Sequence, residues 1–251
     1  MTVEWELGAS AIEFRLRMPI NVAFVVLGFW APWIDSGDVG SRISLLEWLA
    51  LELSRTGLLR FTQATPVAIF VGALLAAIGA ILRVWGAAYL GSATVQSLNM
   101  KADSVIADGP FRYVRNPLYL GLWCTIAALT FVMPPTGALV TMILFTSFQF
   151  RLILGEEAYL SRQLGEVYRN YLRAVPRLIP RFRATVIKGS AQPHWLRAVL
   201  TELNPIGIFV ALAVFSWSYD NWMMVKVILV GFGVSLVMRA FVPGNPTSQT
   251  A

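Results

Sequence analysis

Two polar clusters interrupt an otherwise apolar chain, and their residue types suit the binding of a small zwitterion. The first is the run Gly109-Pro110-Phe111-Arg112-Tyr113-Val114-Arg115-Asn116-Pro117-Leu118-Tyr119-Leu120-Gly121, directly before a long apolar stretch. The second follows another apolar stretch. It opens with Glu156-Glu157 and continues through Tyr168, Tyr171 and Val175-Pro176-Arg177. An arginine binds a carboxylate or phosphate, and a carboxylate accepts hydrogen bonds from ribose hydroxyls or an ammonium. A zwitterionic, ribose-bearing cofactor uses both kinds of group. Successive residues on a helix point about 100° apart, so one glutamate can meet a ligand while the other meets an arginine. Arg112 and Arg115 also read as headgroup anchors, because lipid solvates arginine poorly and a charge at a helix end reaches for water or headgroups.

The elements that must position these groups are membrane helices. Of the 251 residues 57% are hydrophobic and only 14% charged, against roughly 45–50% and about 25% in soluble domains. The fold expected is all-α: one polytopic integral membrane domain over 1–251, with about six transmembrane helices and a cytoplasm-facing cofactor pocket. Six stretches approach the ~20 apolar residues that a crossing needs. They run from about Met18 to Ile34, Pro66 to Leu90, Leu118 to Met133, Thr136 to Leu154, Pro205 to Tyr219 and Trp222 to Val242. Pro134-Pro135 predicts a tight turn between the third and fourth, and Asp220-Asn221 another between the last two. Ile43–Phe61 and Trp195–Leu203 read as interfacial amphipathic helices, and the polar tail from Pro243 as mobile.

The net charge of +6 is distributed unevenly. Arg15 and Arg17 precede the first stretch, Lys101, Arg112 and Arg115 lie between the second and third, and a dense group from Arg151 to Arg197 follows the fourth. Six crossings put all three segments on one side, which the positive-inside rule makes cytoplasmic, together with both termini. The charge excess thus reads as loops against anionic lipid, with membrane lipid as partner and no nucleic acid. Glu4, Glu6 and Glu13 before the first apolar run are unlike a cleaved signal's basic region, so that span is read as retained.

Several chemistries lack their parts. The lone cysteine, Cys124, lies inside an apolar stretch as a small packing residue. The lone histidine, His194, sits in a polar stretch beside Pro193 and Trp195. Neither a histidine-based triad nor a metal centre is expected. Two glutamates at a helix C-terminus would oppose the helix dipole. The fourth helix is therefore expected to continue past Leu154 through Glu156, Tyr159 and Leu160. The short hairpin would then hold the two carboxylates near the Gly109–Gly121 run.

The Gly109–Gly121 run, the Glu156-Glu157 pair and the Tyr168, Tyr171, Val175-Pro176-Arg177 tail resemble, in that order, the isoprenylcysteine carboxyl methyltransferase and phospholipid methyltransferase superfamily. Arg83-Val84-Trp85-Gly86-Ala87-Ala88-Tyr89-Leu90-Gly91 resembles its second helix. The resemblance covers about Ile81 to Pro180. It implies a methyltransferase-like core over about 66–183, with an extra C-terminal hairpin over about 204–243. It implies S-adenosyl-L-methionine as cofactor and methyl transfer to a lipophilic acceptor: a prenylcysteine-like carboxylate, a lipid amine or a thiol. Carried over by position, Arg115, Asn116, Pro117, Tyr119, Glu156 and Glu157 are expected to bind the cofactor. Arg115 is also expected to act in catalysis, and Tyr168, Tyr171 and Arg177 to meet the acceptor. Asn116 departs from the family's histidine in the Arg-His-Pro-x-Tyr element, and Asp103 stands where many relatives have histidine. Asparagine does not titrate near neutral pH, so no proton acceptor is expected there. Transfer from a sulfonium to an existing nucleophile rests mostly on proximity and exclusion of water. A nicotinamide-dependent reductase related to sterol reductases and a non-catalytic lipid-binding protein are the alternatives.

Overall fold

The computed structural model describes residues 8–31, 43–90, 107–184, 186–187 and 189–241. Expectations resting on Glu4, Glu6, Asp35, Asp38, Arg42, Lys101, Asp103, Lys188 or the tail from Pro243 lie outside those residues. The described residues form helices without a strand. They are α1 (Ala11–Arg15), α2 (Arg17–Trp30), α3 (Leu45–Arg55), α4 (Phe61–Leu90), a 3-10 turn (Gly109–Arg112), α5 (Pro117–Thr130), α6 (Pro135–Ala174), α7 (Trp195–Thr201), α8 (Leu203–Ser218) and α9 (Asn221–Phe241).

About six crossings were expected, and the described helices supply fewer. Three are long and apolar enough alone: α4, α6 and the Asn221–Met238 part of α9. The bent pair α7–α8 makes a fourth when taken as one span. The remaining apolar helices, α2 and α5, have 14 residues each. At 1.5 Å per residue that is about 21 Å, short of the ~30 Å hydrocarbon core. Helix α5 starts at Pro117, whose missing N–H suits a first turn, and ends in the turn leading to Pro134. Those turns take residues that an apolar count assigns to the span.

Small residues set the packing. Helices α4 and α5 run antiparallel and cross where Gly79 meets Gly121. A Cβ on Gly79 would lie 2.7 Å from the Gly121 carbonyl oxygen, and one on Gly121 2.8 Å from that of Gly79. Helix α2 packs antiparallel on α6, where a Cβ on Gly137 would overlap the Gly28 carbonyl. Close backbone approach of this kind drives helix association where lipid offers no hydrophobic gradient. Helix α3 opens with a capping box, the Ser44 hydroxyl accepting from the Glu47 N–H and the Glu47 carboxylate from the Ser44 N–H. It lies on α4 through buried Leu46, Ala68 and Ile69. Tyr219 in the left-handed region (φ 52°) ends α8, and the Asp220 carboxylate accepts from the N–H groups of Trp222 and Met223.

The continued fourth helix is observed. Helix α6 covers 40 residues, of which the stretch before Gly165 is continuous over about 45 Å and carries Glu156 and Glu157 in its interior. It breaks at Gly165, whose φ of 58° and ψ of −133° belong to glycine's own region. Beyond the break Tyr168, Tyr171 and Val175 form a small core of their own.

Candidate active site at one end of the helix bundle

The start of α5, the middle of α6, the end of α4 and the segment after Ala174 meet at one end of the bundle. Helix α5 brings Asn116 and Tyr119 there, because the hairpin at Pro134 keeps it beside α6. The return segment is stitched over the Gly109–Gly121 run. The Arg115 N–H donates to the Pro176 carbonyl at 2.8 Å, the Arg181 N–H to the Tyr113 carbonyl at 3.1 Å and the His194 N–H to the Ala88 carbonyl at 2.9 Å. Asp108, 3% exposed, accepts from the N–H groups of Gly189 and Ala191.

The two glutamates have separate environments, as the 100° step between neighbouring helical residues requires. Glu157 is buried and saturated. Arg177 donates to it through Nε (3.1 and 3.2 Å) and Nη2 (2.7 Å). Arg115 Nη1 lies 3.1 Å from Oε1, and Asn116 Nδ2 donates to the same oxygen at 3.4 Å. Asn116 Nδ2 also donates to the Arg177 carbonyl at 3.2 Å. A carboxylate offers about four acceptor positions, so this set closes around Glu157 as a clamp joining three chain segments.

Glu156 faces the other way and accepts from the Tyr119 hydroxyl at 2.9 Å. The charges of Glu156, Arg17 and Arg83 all act on that phenol. Arg17 was not expected here. It arrives from the first turn of α2, stacked over the Phe14 ring at 4.1 Å. The segment from Ala9 to Glu13 is tied to α6 through the Ala9 N–H on the Arg151 carbonyl (2.8 Å) and through Glu13 on Arg151 (2.9 Å). The Arg151 guanidinium, followed by the backbone bond from Ser10, lowers the Glu13 carboxyl from its ordinary range.

The other expected residues fall as follows. Pro117 is the first residue of α5 and is buried. Arg115 is 12% exposed and turned onto Glu157, with its buried Nε lacking any acceptor. Tyr168 and Tyr171 stack at 5.8 Å, and the Tyr171 hydroxyl donates to the Phe111 carbonyl at 2.8 Å. Tyr171 thereby ties α6 to the 3-10 turn, and Tyr168 packs against Tyr171. Arg112, read as an anchor, instead donates through Nε to the Val186 carbonyl at 3.1 Å.

A second buried charge pair went unforeseen. Arg83 forks onto Glu202, Nε to Oε2 at 2.6 Å and Nη2 to Oε1 at 2.9 Å. Arg83 gave a signal, as an ionisable residue inside an apolar stretch, whereas Glu202 lies in a segment read as amphipathic, and nothing in the sequence pairs positions 119 residues apart. The same holds for Gln149, 0% exposed, which donates to Asn21 at 2.9 Å between α6 and α2. Among the described residues no group of three His, Cys, Asp or Glu side chains is placed to hold a metal ion.

Neither a curated protein nor a solved structure matches the chain. One family model does, and its match spans α4, α5 and the part of α6 that carries both glutamates, the elements that build this end of the bundle. It is the model of the phospholipid methyltransferase family, to which the chain is similar over residues 67–167.

Proposed function

We propose that the protein is a membrane methyltransferase that uses S-adenosyl-L-methionine and methylates a lipophilic acceptor reached from the bilayer. The observation that carries this is the division of labour between adjacent glutamates, inside the segment matched to the methyltransferase family. Glu157 holds the site together, and Glu156 with Tyr119 presents a carboxylate–phenol pair.

The donor set suits the cofactor. Glu156 is an acceptor for a ribose hydroxyl or an ammonium. The unpartnered Nε of Arg115 is a donor for a carboxylate, one turn of chain from Tyr119. When bound, the cofactor supplies an electrophilic methyl group on a sulfonium. The protein's own residues bind, orient and exclude water. Arg177 and Asn116 fix Arg115 by occupying the same carboxylate. Tyr171, backed by Tyr168, holds the 3-10 turn that carries Arg112 toward the return segment. In this reading Tyr168, Tyr171 and Arg177 act on the acceptor only through the shape they give the site. Asn116 spends its amide on Glu157 and Arg177 and transfers no proton. An acceptor that already carries a lone pair, a carboxylate, thiolate or neutral amine, needs none.

The polar end is assigned to the cytoplasmic side on the strength of Arg15, Arg17, Arg112, Arg115 and the arginines after α6. The test is incubation of purified protein with methyl-labelled S-adenosylmethionine and a host lipid extract, followed by mass spectrometry. A labelled lipid that disappears with Glu156→Gln supports the reading. Tight binding of the cofactor's demethylated product, S-adenosylhomocysteine, is its binding counterpart. Wild-type protein that neither binds that product nor labels any lipid refutes it.

A further inference from the structure

The matched family segment ends at residue 167, and the C-terminal helices α7–α9 lie beyond it. We propose that Glu202, in this extension, is a positioning residue for the Tyr119–Glu156 pair and acts through Arg83. The inference rests on the methyltransferase reading above and extends it to a part of the chain outside the family match.

Glu202 is the residue between α7 and α8, where the chain bends by 68°. The bend turns its carboxylate inward, and the residue is 1% exposed. Arg83 commits all three guanidinium nitrogens: Nε and Nη2 to Glu202, and Nη1 to the Leu118 carbonyl at 3.3 Å. A guanidinium is planar and its donors are fixed relative to one another. Where Glu202 stands therefore decides where the Leu118 carbonyl is held. Leu118 lies in the first turn of α5, and the next residue is Tyr119. The stem of Arg83 is held as well, packed against Gly121 so closely that a Cβ there would lie 2.7 Å from its Cγ. The Arg83 charge also acts directly on the Tyr119 phenol. A continuous path thus runs from the bend of the C-terminal extension through Arg83 and the α5 first turn to Glu156.

Stability alone is a weak reason for such a pair. Replacing a buried ion pair by well-packed apolar residues is often neutral or stabilising. What an apolar substitute cannot do is hold one carbonyl in one direction. The extension then completes the site from outside the matched segment.

The experiment is a double-mutant cycle read as affinity for S-adenosylhomocysteine, by calorimetry on the full chain in detergent. The variants are Glu202→Gln, Tyr119→Phe and the two combined. Each single change is expected to weaken binding by roughly threefold to thirtyfold, and the double no more than the worse single, because coupled residues are not additive. A Glu202→Gln protein that binds as wild type, or a double variant that loses the product of the two factors, overturns the proposal and leaves the methyltransferase reading intact. Wild-type protein that fails to bind overturns that reading and this one with it. Should Glu202→Gln not elute as folded protein, Arg83→Lys decides. It keeps a charge for Glu202 but loses the planar fork to Leu118, so the same weakening is expected, and wild-type affinity overturns the proposal.

Discussion

Replacing Glu157 with glutamine keeps the shape of the side chain and removes the charge that two arginines share. The loss is worked from burial. The Arg115–Glu157 pair is 12% and 8% exposed, so its partners have little water to turn to, whereas Arg177 is 36% exposed and recovers part of its hydration. Removing one member of a buried pair costs about 3–5 kcal/mol, and the exposed Arg177 limb places this case at the lower end, about 3 kcal/mol. For a chain of this size 1 kcal/mol moves the melting temperature by roughly 2–4 °C, so a drop of roughly 6–12 °C is expected. Intrinsic tryptophan fluorescence on heating in a mild detergent measures it. Adding Arg115→Met to Glu157→Gln removes the stranded charge, so the double variant should melt above the sum of the single losses. A Glu157→Gln melting temperature within about 2 °C of wild type would show that the clamp carries no stability. The assignment of Glu157 to structure and Glu156 to ligand would then fail.

Glu156→Gln should do the opposite: little change in melting temperature, and roughly tenfold to a hundredfold weaker S-adenosylhomocysteine binding by calorimetry, the range for losing a charged hydrogen bond. Gly79→Ala forces a methyl to within 2.7 Å of the Gly121 carbonyl oxygen and should destabilise by about 1–3 kcal/mol, whereas Gly233→Ala, where nothing lies within 4 Å, should melt as wild type. The Glu13 carboxyl is held below its ordinary range by Arg151. Its contribution to stability is therefore fully present above the ordinary glutamate value of about 4.3 and lost as pH falls through the lowered value. Melting curves of wild type and Glu13→Gln should differ near neutrality and converge in acid.

The helices and their turns were legible in the sequence because each has a local cause. Pro117 starts α5, Pro134-Pro135 closes a hairpin and Asp220 caps α9 within a few residues of where composition places them. The dipole argument that continued α6 past Leu154 is local too. The number of crossings was less legible, because hydropathy counts turn residues such as Phe131 and Val132 as part of a span. By itself the sequence determined an apolar all-helical chain whose two polar segments flank a short hairpin. It also determined that Glu156 and Glu157 point apart, because helical pitch is a property of neighbouring residues. Which glutamate does which task was decided only by the tertiary structure. Arg177 returns from beyond the Gly165 break to occupy Glu157, and Arg17 arrives from the other end of the chain to stand by Glu156. The Arg83–Glu202 pair was likewise out of reach of pattern. A charge inside an apolar stretch announces that a partner exists, but only the packing of α4 against the bend before α8 names it.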